Sequence, residues 1–292
     1  MKYKFSVVAS LLVVFLIIQF IGLAVVNSYS GSNLPYGMQP PEVEKGTSLV
    51  SIIISFVIAV TLILILAKYK WKFLIRAWFF VVVVLAIAIS LNSLLKDYTS
   101  YSYLIVLALA LPLGFLKIYR QGIIIHNLTE LLIYPGIAAV FVPILSPLTI
   151  IILLVLISVY DMWAVWHSKI MIKMAKFQMN ELKIFAGLLI PDLSKKVRMQ
   201  ISKIKKSKKS KNKKIQVSLA ILGGGDIVFP AITAGVFLRA FSIVPALFVL
   251  FGALAGLAFL FLISEKKKFY PAMPFITGGI FLALIIWKIF LF

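Results

Sequence analysis

Residues 147–167, PLTIIILLVLISVYDMWAVWH, form an almost entirely apolar run that contains a single carboxylate, Asp161. A helix that crosses the hydrocarbon core of a bilayer needs about 20 such residues. The run therefore predicts a membrane-spanning helix that carries an acid. The whole chain agrees, because 62% of its 292 residues are hydrophobic and 13% are charged, against about 45–50% and about 25% in soluble domains. This composition excludes an ordinary soluble domain, and a chain without cysteine excludes disulfides, thiolate chemistry and Cys-ligated zinc.

Eight further apolar runs resemble this one, so the sequence predicts an all-α, polytopic membrane protein with nine transmembrane helices. The first run is interpreted as a span rather than a signal peptide, because its apolar core exceeds the usual length of about 7–15 residues. The nine predicted spans lie at 5–27, 48–67, 73–95, 101–118, 122–145, 147–167, 215–237, 241–263 and 271–291.

The charge of the chain predicts its orientation. Lys and Arg number 30 against 9 Asp and Glu, which gives a formal charge of +21. Most basic residues fall in alternate loops, and basic loops remain in the cytoplasm. The N-terminus is thus expected in the cytoplasm and the C-terminus outside it, in a multi-pass protein of the cell membrane.

The predicted organisation is one integral membrane domain in three parts: spans one to six at 1–167, a cytoplasmic segment at 168–214, and spans seven to nine at 215–292. Within the cytoplasmic segment, 169–190 has the spacing of an amphipathic helix, and 194–214 is a lysine-rich run typical of disorder. That run is interpreted either as a tether that fixes topology or as a contact for anionic lipid headgroups. Nucleic-acid binding is not expected, because the run lacks aromatic residues for base stacking.

Three carboxylates fall inside predicted spans: Glu130, Asp161 and Asp226. An intramembrane acid costs about 2.5–3.5 kcal/mol on insertion scales, so each is a candidate for function. Helical rise places Asp161 and Asp226 at similar depths in antiparallel spans, and Gly223-Gly224-Gly225 allows a close approach before the second acid. Glu130, with His126 and Asn127, is expected to form a buried polar network that supports the bundle, or else a water-accessible rim.

Two adjacent carboxyls can share a proton and activate a water for attack on a peptide bond, with no metal or cofactor. The same two acids also suit a cation channel or a proton-coupled transporter. The residues alone leave these alternatives open.

Three motifs add a resemblance. Tyr160-Asp161, Gly223-Gly224-Gly225-Asp226 and Pro271-Ala272-Met273-Pro274 resemble the YD, GxGD and PAL motifs of the presenilin and signal peptide peptidase family of intramembrane aspartyl proteases, on spans six, seven and nine. The expected cytoplasmic N-terminus agrees with the presenilins, and the short loops and the length of the chain look most like the archaeal presenilin homologues. The resemblance implies that Asp161 and Asp226 are the catalytic dyad. It also implies that the other motif residues support the active site or the substrate, with Met273 where the family has Leu.

The implied activity is endoproteolysis of the transmembrane helices of other membrane proteins. The substrate helix must unwind, and its exposed strand is expected to pair with an edge near Pro271 or near the start of span seven. GxGD also occurs in prepilin-type peptidases, which remain an alternative. The oligomeric state is left open.

Overall fold

The computed structural model describes residues 4–31, 34–37, 54–55, 58, 61–62, 69, 71–99, 101–120, 122–168, 185–192, 218–265 and 270–291. Eight long helices and one two-stranded sheet account for most of these residues. The helices are α1 (Phe5–Ser28), α2 (Lys72–Leu95), α3 (Ser102–Tyr119), α4 (Ile123–Phe141), α5 (Pro147–Trp163), α6 (Gly225–Ala240), α7 (Ile243–Ile263) and α8 (Met273–Leu291), and the strands are β1 (Gly187–Asp192) and β2 (Ser218–Gly223).

Seven helical segments of the described chain are long and apolar enough to cross a membrane. They are Phe5–Ser28, Lys72–Leu95, Ser102–Tyr119, Ile123–Ile144, Pro147–His167, Ile243–Ile263 and Met273–Phe290. The predicted second span, at 48–67, lies almost entirely outside the described residues. Within the described residues the predicted all-α class is confirmed apart from one two-stranded sheet, and seven of the nine expected spans are represented.

The predicted boundaries of the seventh span and of the amphipathic helix are wrong, because part of each segment is a strand of the sheet. The expected seventh span at 215–237 contains strand β2, and its helix begins only at Gly225. The glycines at 223–225 disfavour helix by up to about 1 kcal/mol each relative to alanine, which explains the late start. The expected amphipathic helix at 169–190 overlaps strand β1 from Gly187 onward, and its residues 169–184 lie outside the description.

The two strands are antiparallel, with Gly187 opposite Gly223 and Asp192 opposite Ser218. Gly187 has a φ of +144°, and a Cβ on it would lie 2.3 Å from the carbonyl oxygen of Leu222. Only glycine fits this position without strain. The sheet therefore ends where Gly187 meets the glycines that precede Asp226.

The largest core joins α1, α6, α7 and α8, with Leu11, Phe15 and Ile18 of α1 fully buried. Helices α7 and α8 approach so closely that their backbones touch. A Cβ on Gly256 would lie 2.2 Å from the carbonyl oxygen of Phe275, and one on Gly279 would lie 2.2 Å from that of Gly252. Small residues at such a spacing allow membrane helices to pack backbone to backbone. This contact fixes the position of the start of α8.

Candidate active site

Asp161 lies two residues before the end of α5, Pro147–Trp163. Ser146 caps the start of this helix, because its hydroxyl accepts a hydrogen bond from the backbone N–H of Thr149 at 3.2 Å. Pro147 follows as the first helical residue, a position where no backbone N–H is needed. The Asp161 side chain is buried, with 3% of its surface exposed. The helix therefore delivers a carboxylate into the protein interior rather than towards lipid.

The first turn of α8 meets this carboxylate. The backbone N–H of Met273 donates to Oδ2 of Asp161 at 3.1 Å. N–H groups in the first turn of a helix have no partner within it and carry a partial positive charge, so they stabilise an anion. Pro271, Ala272 and Met273 are buried here and Pro274 is partly buried. The structure thus brings the predicted PAL-like segment to Asp161.

Asp226 lies in the first turn of α6, directly after the sheet. Its carboxylate folds back over Gly223, where an added Cβ would lie 3.1 Å from Oδ2, and it also interacts with the backbone of Gly223. The side chain is partly buried, and its carboxyl is close enough to Asp161 for the two to interact electrostatically. The structure therefore brings together the two acids that the sequence singled out.

The three glycines before Asp226 have different surroundings. Gly224 donates its backbone N–H to the carbonyl of Ala186 at 3.3 Å, and a Cβ on it would lie 2.9 Å from the hydroxyl of Tyr134. At Gly225 an added Cβ would make only an ordinary contact, 3.7 Å from the ring of Phe229. A side chain at 224 would therefore displace the ring of Tyr134, whereas one at 225 would displace no neighbour.

Tyr134 of α4 is a site residue that sequence reasoning missed. Its side chain is buried, and its hydroxyl lies beside Glu130 and within electrostatic reach of Asp226. Within the described part of the chain the hydroxyl makes no hydrogen bond of normal geometry. The available signal was its position four residues after Glu130, which places both side chains on one face of the helix.

Two further polar residues were also missed, and both tie helices together beside the acids. Gln19 of α1 is fully buried and donates to the carbonyl of Ile227 at 3.0 Å, one residue after Asp226. Ser158 of α5 donates to the hydroxyl of Thr277 of α8 at 2.9 Å. This second bond lies one turn from Asp161 and joins the two helices that carry the carboxylate and its N–H donor.

Tyr160 is not brought into the site. Its side chain is 52% exposed, and its ring lies near that of Trp163, with centroids 6.3 Å apart. Successive residues on a helix point about 100° apart, so burial of Asp161 turns its predecessor towards the outside.

The polar residues of α4 form a buried network, in agreement with the first of the two expected roles. Glu130 pairs with Lys117 of α3, and both side chains are 1% exposed. His126 lies 2.8 Å from Lys117 and 3.5 Å from Glu130. Asn127 and His126 also hydrogen bond to the backbone of β1. The network therefore supports the sheet rather than forming a water-accessible rim.

No group of three or more His, Asp or Glu side chains that could hold a metal ion occurs among the described residues. The groups that surround the two acids are backbone N–H groups and neutral polar side chains. The chemistry of the two acids is that of acid and base groups that act on water.

These features define a helical membrane protein with two interacting carboxylates near the ends of two of its helices. The chain belongs to the family described as signal-peptide peptidase, presenilin aspartyl protease, whose model matches residues 12–291. It is therefore an integral, multi-pass aspartic protease of the membrane, as the motif resemblance predicted.

Solved structures share this fold. A presenilin family intramembrane aspartate protease in a C222 crystal form matches with a TM-score of 0.65 and 21% identity, covering 97% of this chain and 98% of that one. A P2 crystal form, described by the same words, matches with a TM-score of 0.64 and 21% identity, with 96% of each chain covered. Among curated proteins, no sequence matches the chain.

Proposed function

We propose that Asp161 and Asp226 are the catalytic dyad of an endopeptidase that cleaves transmembrane helices of other membrane proteins. The observation that carries the proposal is the meeting of these two carboxyls, one buried near the end of α5 and one in the first turn of α6, near enough to interact. Two like charges at such a site favour a state in which one proton is shared.

The shared proton suggests the reaction steps. The ionised carboxyl takes a proton from a water as the water oxygen attacks the peptide carbonyl carbon, and the neutral carboxyl donates its proton to the carbonyl oxygen. The carboxyl that received the water proton then gives it to the amide nitrogen as the C–N bond breaks, and the other carboxylate takes a proton from a hydroxyl of the gem-diol. A carboxylic acid and an amine leave, and the dyad again holds one proton. Oδ1 of Asp161 has no hydrogen-bond partner in the described ranges, while Oδ2 is held by Met273. The shared proton belongs to the coupled pair, so neither carboxyl is assigned as the acid or as the base.

The remaining motif residues are proposed to support this pair. Gly223 leaves room for the carboxylate of Asp226, and Gly224 for the hydroxyl of Tyr134. Pro271, Ala272, Met273 and Pro274 present a helix start to Asp161. We assign Gly225 and the exposed Tyr160 to substrate contact rather than to support of the dyad.

A substrate helix must unwind, and the edge of β2 is the better of the two places expected for its exposed strand. The N–H and C=O of Leu189 in β1 face α4 rather than β2. Ile221 lies directly opposite Leu189, and in an antiparallel ladder such a residue turns its own N–H and C=O away from the partner strand, here β1. A strand added there leads to Gly223 and Asp226. The segment near Pro271 offers fewer donors, because its prolines lack an N–H and that of Met273 is occupied.

We also propose the full topology of nine spans, with a cytoplasmic N-terminus and an extracytoplasmic C-terminus, divided at 1–167, 168–214 and 215–292. The basic run at 194–214 lies outside the described residues. Its charge suits anionic lipid headgroups on the cytoplasmic face. A channel, a transporter or a prepilin-type peptidase is not favoured, because the family model that matches is that of the intramembrane proteases.

The test uses purified protein reconstituted with a transmembrane peptide whose fragments are identified by mass. Wild type is expected to cut the peptide within its hydrophobic segment, and Asp161→Asn and Asp226→Asn are each expected to abolish cutting. Asp97→Asn, an exposed acid after α2, is the matched control and should retain activity. Full cleavage by either site variant would remove that residue from the dyad, and ion flux without cleavage would favour the transporter alternative.

A further inference from the structure

We propose that Asn127, with His126 and Glu130, is an edge clamp that sets the register of the β1–β2 sheet and thereby positions the substrate. In this role the three side chains of α4 are positioning residues that act through the sheet. Their effect on cleavage rests on the proposed function, whereas their effect on the register does not.

Asn127 binds β1 as a neighbouring strand would. Its Oδ1 accepts the N–H of Leu189 at 3.1 Å, and its Nδ2 donates to the carbonyl of the same residue at 2.8 Å. An amide side chain presents one acceptor and one donor side by side, which is what an outward-facing strand residue requires. A single side chain thus occupies both groups of Leu189.

Two more side chains occupy the next outward-facing residue, Gly187. Its N–H donates to Oε1 of Glu130 at 3.3 Å, and its carbonyl lies 2.7 Å from Nε2 of His126. A carbonyl only accepts, so the proton is on Nε2, and Nδ1 accepts from the ammonium of Lys117 at 2.8 Å. The clamp therefore covers the outer edge of β1 at two successive outward positions, whereas no described residue pairs with the outer edge of β2.

Both strands contact the same helix, α4. His126, Glu130 and Tyr134 recur every four residues along α4 and share one face. The first two hold Gly187 of β1, and the third contacts Gly224 at the end of β2. A relative slip of the strands is opposed because it separates one strand from its anchor on α4.

The charges within the clamp balance. Glu130 is paired with Lys117, and both side chains are buried. A buried carboxylate with a cation partner and further hydrogen bonds is stable in a low-dielectric interior, whereas an unpaired one is not. The ion pair therefore keeps Glu130 available as an acceptor for Gly187.

Cysteine cross-linking measures the register directly, because the chain has no native cysteine. Leu189→Cys with Ile221→Cys places thiols on directly opposed residues, and Leu189→Cys with Leu219→Cys reports a slip of two positions. In the parent chain the first pair is expected to oxidise readily and the second poorly. With Asn127→Leu added, oxidation of the first pair should fall and that of the second should rise.

The same variants are then compared in cleavage. With Asn127→Leu, the cleavage site in the peptide is expected to shift or spread by about two residues, the repeat of outward-facing groups along a strand. Asn127→Ser, whose side chain is too short to reach both groups of Leu189, provides a milder variant and should give the same shift in smaller proportion. Asn92→Leu is the control, since Asn92 is a buried asparagine of α2 that bonds to Tyr29, away from the sheet.

An unchanged cross-linking pattern in both Asn127 variants would refute the clamp, whatever the enzyme cleaves. An equal change with Asn92→Leu would refute it too, because the effect would then be general loosening. A changed cross-linking pattern in a protein whose parent cleaves no peptide would support the clamp and count against the proposed function instead.

Discussion

Gly279→Ala is predicted to disable the protease without touching either acid. The added Cβ would lie 2.2 Å from the carbonyl oxygen of Gly252 and 2.9 Å from the backbone nitrogen of Gly256. Both are backbone atoms of α7, so no side-chain rotation can relieve the contact. Helix α8 must instead move away from α7.

The size of this movement follows from the contact distances. Ordinary Cβ contacts begin at 3.4 Å, so α8 must retreat by roughly 1 Å at Gly279. The N–H of Met273 is 3.1 Å from Oδ2 of Asp161, near the upper end of normal hydrogen-bond lengths. A shift of about 1 Å that takes Met273 away from Asp161 breaks this hydrogen bond. A misplacement of about 1 Å in an active site costs about 100-fold in rate.

The assay is kcat/KM for a transmembrane peptide in proteoliposomes, together with thermal unfolding in detergent. Gly278→Ala is the matched control, because a Cβ at this neighbouring position meets no atom within 4 Å. We expect about a 100-fold loss for Gly279→Ala and none for Gly278→Ala, with both proteins folded. Equal activity of the two variants would refute the inference that the glycine contact positions the start of α8.

Two other predictions concern contacts of α4. Gly224→Ala should reduce cleavage because its Cβ would lie 2.9 Å from the hydroxyl of Tyr134 and would displace that side chain. Adding Tyr134→Phe should restore part of the activity, since the nearest ring carbon is at 3.2 Å. The same peptide assay measures both variants, and no recovery in the double variant would contradict the prediction. Lys117→Met should destabilise the protein by about 3–5 kcal/mol because Glu130 is left buried without its cation. Adding Glu130→Gln should regain much of that loss in thermal unfolding, and a double variant no more stable than Lys117→Met would count against the ion pair.

The helices could be predicted from hydropathy. The meeting of Asp161 with Asp226 could be predicted because a carboxylate stands out in an apolar run and the two acids lie at similar depths in the membrane. Strand β2 could not be predicted in this way. The run SLAILG at 218–223 is apolar and short, and such a run has no periodicity that separates strand from helix. Its strand form depends on β1, about 30 residues earlier in the chain.

The neutral site residues were harder to predict than the acids. Gln19, Tyr134 and Ser158 are single polar residues in membrane helices, where neutral side chains are common and give no default expectation of function. Tyr160 shows the converse, since it is adjacent to Asp161 in the sequence but its exposed side chain is not held against the dyad. Its exposure follows from helix geometry alone.

The bonds around the two acids join distant parts of the chain, which has a consequence for biosynthesis. Gln19 bonds to a residue 208 positions later, and Asp161 to one 112 positions later. Chains emerge from the ribosome at about 5–20 residues per second, so Asp161 waits several seconds for its donor on α8. During that interval a nascent chain contains one or both acids but lacks the backbone N–H of α8 that holds Asp161.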